Sequence, residues 1–231
     1  MPIPSTHTYS GATSKIDFSS QEGDLFITIE TSRLLIRTVN QGDHRLYAAL
    51  FGDKDVMEKY ANGATKTENE MAKRINDIWV KRLHENDPYV GMAVFRKDTS
   101  EFIGHIILGH GDHPGESEIA YLFHKAHWGN GYGSEAISAL VTEFAPATVK
   151  EGFTLEGKKL EKIVATSRPD NIASKRILEK LGMHLTGEEI KYGAKRFHYA
   201  ISLSEIVEKS SQKTTECWYN SLTWWKSLIA C

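Results

Sequence analysis

Cysteine is scarce in this chain. Two occur, Cys217 and Cys231, both within the last fifteen residues. So placed, they cannot staple a fold, and nothing calls for an oxidising compartment. An excess of one charge is missing too. Lys and Arg number 28 against 30 Asp and Glu, a formal net charge of −2. That removes any general pull towards nucleic acid or an anionic membrane. No uninterrupted apolar run is long enough to span a bilayer. Met1 to Asp24 lacks the apolar core of a signal peptide, and its only basic residue is Lys15. Internal repeats and low-complexity tracts are absent. What remains is an expectation of a soluble, cytoplasmic protein. Its 231 residues, 40% hydrophobic, suffice for one domain with a real core.

Three segments are expected. Residues 1–24, rich in Ser, Thr and Gly, read as a flexible N-terminal arm. Residues 25–208 read as the domain, and residues 209–231 as an aromatic, helical tail. Within the domain, Leu25 to Ile29 suits a sheet edge, and Arg33 to Arg37 a strand. Asp43 is placed to cap a helix. Thr67-Glu68-Asn69-Glu70 has capping-box spacing, and Met71, Ile75, Ile78, Trp79 and Leu83 continue it as an apolar stripe. Two strands, Tyr89 to Arg96 and Glu101 to Leu108, form a hairpin, and Glu118 to Phe123 a third. A helix follows that Pro146 should end. Glu161 to Thr166 is the next strand. Asp170 or Asn171 then caps a helix with Ile172, Ile177, Leu178 and Leu181 as its buried stripe, and Gly182 suits its C-terminus. Two last strands complete the order. The pattern predicts an α+β fold, with a central mixed, mostly antiparallel sheet of six to seven strands flanked by helices.

The most informative stretch is Trp128-Gly129-Asn130-Gly131-Tyr132-Gly133-Ser134. A strand precedes it and a helix follows at once. That arrangement aims bare backbone N–H groups and a helix dipole at one spot, a site for a pyrophosphate. No Gly-Lys-Ser/Thr follows, so this is not a Walker loop. The residue three past Gly131 is Ser134, which spoils a dinucleotide fingerprint. Read alone, the glycines equally suit a tight connection.

A second stretch, Asn171-Ile-Ala-Ser174 through Leu181-Gly182-Met183, changes the balance. Together the two segments resemble the GNAT superfamily of acyl-coenzyme A N-acyltransferases. Thr31 to Arg37, Phe102-Ile-Gly-His105 and Glu118-Ile-Ala-Tyr121 extend the likeness, in order, over about Thr31 to Ser204. They look most like the branch of ribosomal-protein N-terminal acetyltransferases. The resemblance implies a single GNAT-like domain that moves an acetyl group from acetyl-coenzyme A to a primary amine by direct attack in a ternary complex. The acceptor is a protein N-terminus or a small-molecule amine. A non-catalytic acyl-coenzyme A-binding or interaction module is the alternative, because Leu178 stands where many members carry an acidic tyrosine.

Residue by residue, the resemblance places the coenzyme on Trp128, Gly129, Asn130, Gly131, Tyr132, Gly133, Ser134, Asn171 and Ser174. A backbone N–H near Leu122 or Phe123 would polarise the carbonyl. Glu118 is the leading base and His110 the runner-up. Ser174 or water would protonate the thiolate. Tyr121 and Tyr199 suit substrate holding or proton relay. His105, His110, Asp112, His113, Glu116 and Glu118 crowd one segment, but their spacing matches no zinc pattern, so no metal is expected. In the tail, Trp218, Leu222, Trp225 and Ile229 fall at helical spacing with Lys226 as the only basic residue among them. A helix there would pack on the domain or on a second copy as a homodimer, and membrane contact is disfavoured.

Overall fold

The computed structural model describes residues 6–212. The aromatic tail, and any dimer built through it, lies outside the described residues. One ten-stranded sheet runs through the molecule in the order β1-β2-β3-β4-β5-β6-β7-β8-β10-β9. The strands are β1 His7–Ser10, β2 Lys15–Gln21, β3 Asp24–Glu30, β4 Leu34–Thr38 and β5 Gly91–Arg96. β6 Phe102–His110, β7 Glu116–Phe123, β8 Lys162–Ser167, β9 His184–Lys191 and β10 Ala194–Ser202 follow. Neighbours are antiparallel except β7 and β8, which run parallel. The sheet is therefore mixed and flanked by helices as expected, but it has ten strands, not six to seven.

The extra strands come mainly from the segment read as a flexible arm. Ile16 and Phe18 alternate with polar residues and are each 1% exposed, on the face covered by Phe144 and Phe153. Glu143 fastens the β1–β2 turn, accepting from Thr13 N (2.9 Å) and Ser14 N (3.0 Å). Burying these aromatics offsets the chain entropy of ordering the segment.

The helices are α1 His44–Phe51, α2 Lys54–Met57, α3 Glu68–Arg74, α4 Lys81–His84, α5 Tyr132–Ala139, α6 Ala145–Lys150 and α7 Ile172–Lys180. Residues 203–212 are also helical. The Thr67–Glu70 capping box forms as read. Asp43 does not cap α1. Its buried carboxylate instead takes Arg37 through both terminal nitrogens (2.7 and 2.8 Å), while Asn40 caps the preceding turn.

Two π-turns change what periodicity predicted. One, Ile75–Val80, joins α3 to α4. Its underwound backbone brings Val80 into the core and leaves Ile78 at 42% exposure. The other, Leu140–Phe144, joins α5 to α6. The looser pairing there absorbs the N–H that Pro146 lacks, so the helix runs on to Lys150 instead of ending at the proline. In α7, Leu178 is fully buried but Ile172, expected in the same stripe, is half exposed. No helix among the described residues is long and apolar enough to cross a membrane.

Candidate active site

The site begins where two strands part. β7 and β8 pair over three rows, Glu116–Lys162, Ser117–Ile163 and Glu118–Val164. Beyond Glu118 both strands continue unpaired with each other, β7 held by β6 and β8 by β10. A wedge opens between them. The antiparallel ladder fixes which backbone groups face it. His124 N–H donates to Ile103 O (2.9 Å) and Gly111 N–H to Glu116 O (2.9 Å). Alternation then turns the amide of Leu122 to β6 and those of Tyr121 and Phe123 into the wedge.

Side chains alternate as well. His110 is paired with Ser117, and Glu118 with Gly109. Glu118 and His110 therefore lie on opposite faces of the sheet, and Tyr121 shares the face opposite Glu118. His110 is committed to Asp87 (2.7 Å) and packs edge-on against Tyr89. Glu118 keeps company with a lysine: Lys191 Nζ is 3.6 Å from Glu118 and 3.8 Å from Asp112. Burial works against the Lys191 ammonium, but Glu118, Tyr192 and Asp112 outweigh it and raise its pKa.

Across the wedge, the Tyr121 hydroxyl lies 2.9 Å from Ser174 Oγ. Burial pushes the Tyr121 hydroxyl up to about 12, with the Ser174 bond acting in the opposite sense. Asn171 caps α7, accepting from Ser174 N (3.2 Å), which sets the first turn of that helix beside β7. Leu178 is wholly buried and offers no proton. Tyr199 is also buried in the core, and burial raises its pKa.

The glycine turn follows β7. Gly129 and Gly131 take φ of 77° and 79°, conformations that side chains resist. The Trp128 indole N–H donates to Phe123 O (2.7 Å), tying the turn to the end of β7. Asn130 donates from Nδ2 to Trp128 O (3.1 Å). Gly131 is the N-cap of α5, and no side chain caps this helix. Ser134 sits inside the first turn instead of capping it. The first amides of α5, including those of Tyr132, Gly133 and Ser134, are thus left for an anion, and a Cβ at Gly129 would meet nothing within 4 Å. Glu135 steadies the turn from behind, accepting from Thr31 Oγ1 (2.6 Å), Arg33 N (3.0 Å) and Arg33 Nε (2.6 Å). The open helix end and the adjacent wedge fit a pyrophosphate with a slender arm.

The histidine-rich segment disperses. His105 is buried beside Tyr47 and Trp79, His110 is on Asp87, and Glu116 is on Lys162 (2.6 Å). Among the described residues no group of three or more His, Cys, Asp or Glu is placed to hold a metal.

Comparison with known proteins fits this geometry. Residues 33–184 match the acetyltransferase (GNAT) domain family. The chain belongs to this family. YkkB of Bacillus subtilis is 32% identical over 67% of the chain and 83% of its own length. A GNAT-family acetyltransferase from Bacillus anthracis shares the fold at TM-score 0.60 and 25% identity, over 76% of this chain and 98% of that one. RimL, a ribosomal L7/L12 α-N-protein acetyltransferase solved with coenzyme A, superposes at TM-score 0.59 and 19% identity, over 74% and 95% of the two chains. The protein is accordingly an acetyl-transferring enzyme with a GNAT α+β domain, and not a non-catalytic module.

The sequence reading did not single out Lys191 beside Glu118, nor Arg74 and Arg196, each with a buried Nε that has no partner. Their signal is tertiary and exists only once the chain has folded.

Proposed function

We propose that the protein transfers an acetyl group from acetyl-coenzyme A to a primary amine by direct attack in a ternary complex. The observation that carries this reading is the wedge between β7 and β8. It has a carboxylate, Glu118, on one face and the Tyr121–Ser174 hydroxyl pair on the other. The coenzyme, held by the turn of Trp128 to Ser134 and by the first turn of α7 at Asn171 and Ser174, supplies the acetyl group as an activated thioester. The Tyr121 and Phe123 amides face the wedge, where one such donor at a developing oxyanion is worth about 3 kcal/mol. Glu118 takes the proton of the incoming ammonium. Ser174, backed by Tyr121, gives a proton to the departing thiolate on the opposite face. His110 has no part in this scheme, being bound to Asp87 on the wrong side of the sheet. The acceptor is a protein N-terminus or a small amine, in the cytoplasm. Neither nucleic acid nor metal takes part.

The test is release of free thiol from acetyl-coenzyme A across a panel of amines, paired with thermal shift on the coenzyme alone. Stabilisation by acetyl-coenzyme A, with amine-dependent thiol release that Glu118→Gln lowers by about a hundredfold or more, is expected. Release indifferent to Glu118→Gln would remove Glu118 from the scheme.

A further inference from the structure

On the Glu118 face the charges do not balance. Arg196 on β10 is 3% exposed, yet no carboxylate among the described residues pairs with it. Its Nη2 donates to the Ala61 carbonyl, its guanidinium lies 5.1 Å from the Tyr192 ring, and its Nε has no partner. Arg74 on α3 is half-buried and also lacks a carboxylate partner among the described residues. Its guanidinium rests 5.2 Å from the Trp79 ring, and its Nε is buried without a partner. Both arginines act electrostatically on one residue, Tyr60, and so does Glu118. Burial pulls the Arg196 pKa down, and Glu118 is near enough to act against that. But Glu118 is already matched by Lys191 at 3.6 Å.

A buried guanidinium is costly unless an anion meets it. Arginine also presents a planar fork suited to a carboxylate. Here two such forks, each with an unused Nε donor, act on Tyr60 as Glu118 does, and Arg196 also packs on Tyr192, next in sequence to the lysine paired with Glu118. An amine with no anion of its own would bring further positive charge to a site that already holds Arg74, Arg196 and Lys191. An amine carrying a carboxylate would satisfy both signs.

We infer that the acceptor is a small amino acid, its ammonium at Glu118 in place of Lys191 and its carboxylate on Arg196 and Arg74. This rests on the amine-acylation reading for the role of Glu118, but the carboxylate site is testable on its own.

Isothermal titration of the full chain, with and without coenzyme A, would compare common L-amino acids with their carboxamides and with spermidine. At least one free amino acid should bind ten or more times tighter than its carboxamide, with spermidine weaker still. In Arg74→Met/Arg196→Met that ratio should fall to near one, and Arg196→Lys should retain part of it. Equal binding of acid and carboxamide, no amino acid binding, tighter spermidine binding, or a preference that survives the double substitution would each overturn the proposal. The wild-type ratio decides even if the variants fold poorly. Thiol release separates the two readings. Carboxylate-selective binding without turnover defeats acyl transfer to this acceptor but keeps the site. Turnover of amines without selectivity does the reverse.

Discussion

The Tyr121 hydroxyl and Ser174 Oγ meet at 2.9 Å across the wedge between β7 and β8. The pair matters because Leu178, on the same helix as Ser174, is buried and cannot donate a proton. With Tyr121 pushed up to about 12, its proton stays on throughout the range of an ordinary assay. Tyr121→Phe should therefore lower kcat by about a hundredfold, the lower end of what a positioned acid supplies. The KM for acetyl-coenzyme A should move little. Ser174→Ala should lower kcat similarly, and in kcat Tyr121→Phe/Ser174→Ala should be no worse than the more severe single change if the two act as one relay. Additive losses in steady-state kinetics would separate their roles.

With Glu118 as the proposed base, Lys191 stands where the acceptor ammonium would come. At 3.6 Å from Glu118 and 3.8 Å from Asp112, it competes for the carboxylate. Lys191→Met should lower the KM for the amine several-fold and leave kcat nearly unchanged. Glu118→Gln should lower kcat/KM by about 10²- to 10⁴-fold, the range for loss of a general base. A rise in amine KM on Lys191→Met would mean that the lysine binds the acceptor instead of excluding it.

Most of the domain was legible because local signals and global fold agree. The Thr67 capping box, the hairpin strands and the Asn171 cap all formed where short-range chemistry put them. The misses have physical causes. Ile16 and Phe18 lie in a segment read as a flexible arm for its Ser, Thr and Gly, and they join a strand that Phe144 and Glu143 receive from 125 or more residues away. Pro146 breaks a regular helix, but the π-turn that ends at Phe144 removes the need for its N–H. The glycine turn was legible as a turn that opens into a helix, since the positive φ of Gly129 and Gly131 is a local property of the chain. Arg196 was not, because the oddity of a buried unpaired guanidinium exists only after folding.

Gly131 separates strain from ligand binding. At φ of 79° an L-residue costs roughly 1–2 kcal/mol. Gly23, at φ of 94° in the β2–β3 turn, should carry a similar cost. Around Gly131 a Cβ meets only Arg33 Nη2, at 3.5 Å, so a larger side chain enters the space before the open helix end. Gly131→Trp and Gly23→Ala should both lower the melting temperature by a few degrees. Only Gly131→Trp should weaken acetyl-coenzyme A binding, by tenfold or more in a titration. Intact affinity in Gly131→Trp would move the pyrophosphate elsewhere.

His105 predicts how the fold responds to acid. It is 1% exposed, its Nδ1 is 3.1 Å from the Tyr47 hydroxyl, and its ring stacks 5.1 Å from that of Trp79. Burial, aided by the Arg74 charge and opposed by a ring hydrogen bond to the Met92 backbone, brings its pKa down to about 3. The unfolded value is about 6.5. Between these limits the unfolded chain binds the extra proton, so stability rises with pH across that window and falls on acidification. From pH 7.5 to 5 this one site should remove about 2 kcal/mol of unfolding free energy. His105→Gln keeps a polar partner for Tyr47 but has no proton to gain. Denaturant unfolding at the two pH values should show the wild type losing about 2 kcal/mol more than the variant. Equal losses would mean that His105 is already protonated in the folded protein, against the dry aromatic setting that Tyr47, Phe51 and Trp79 give it.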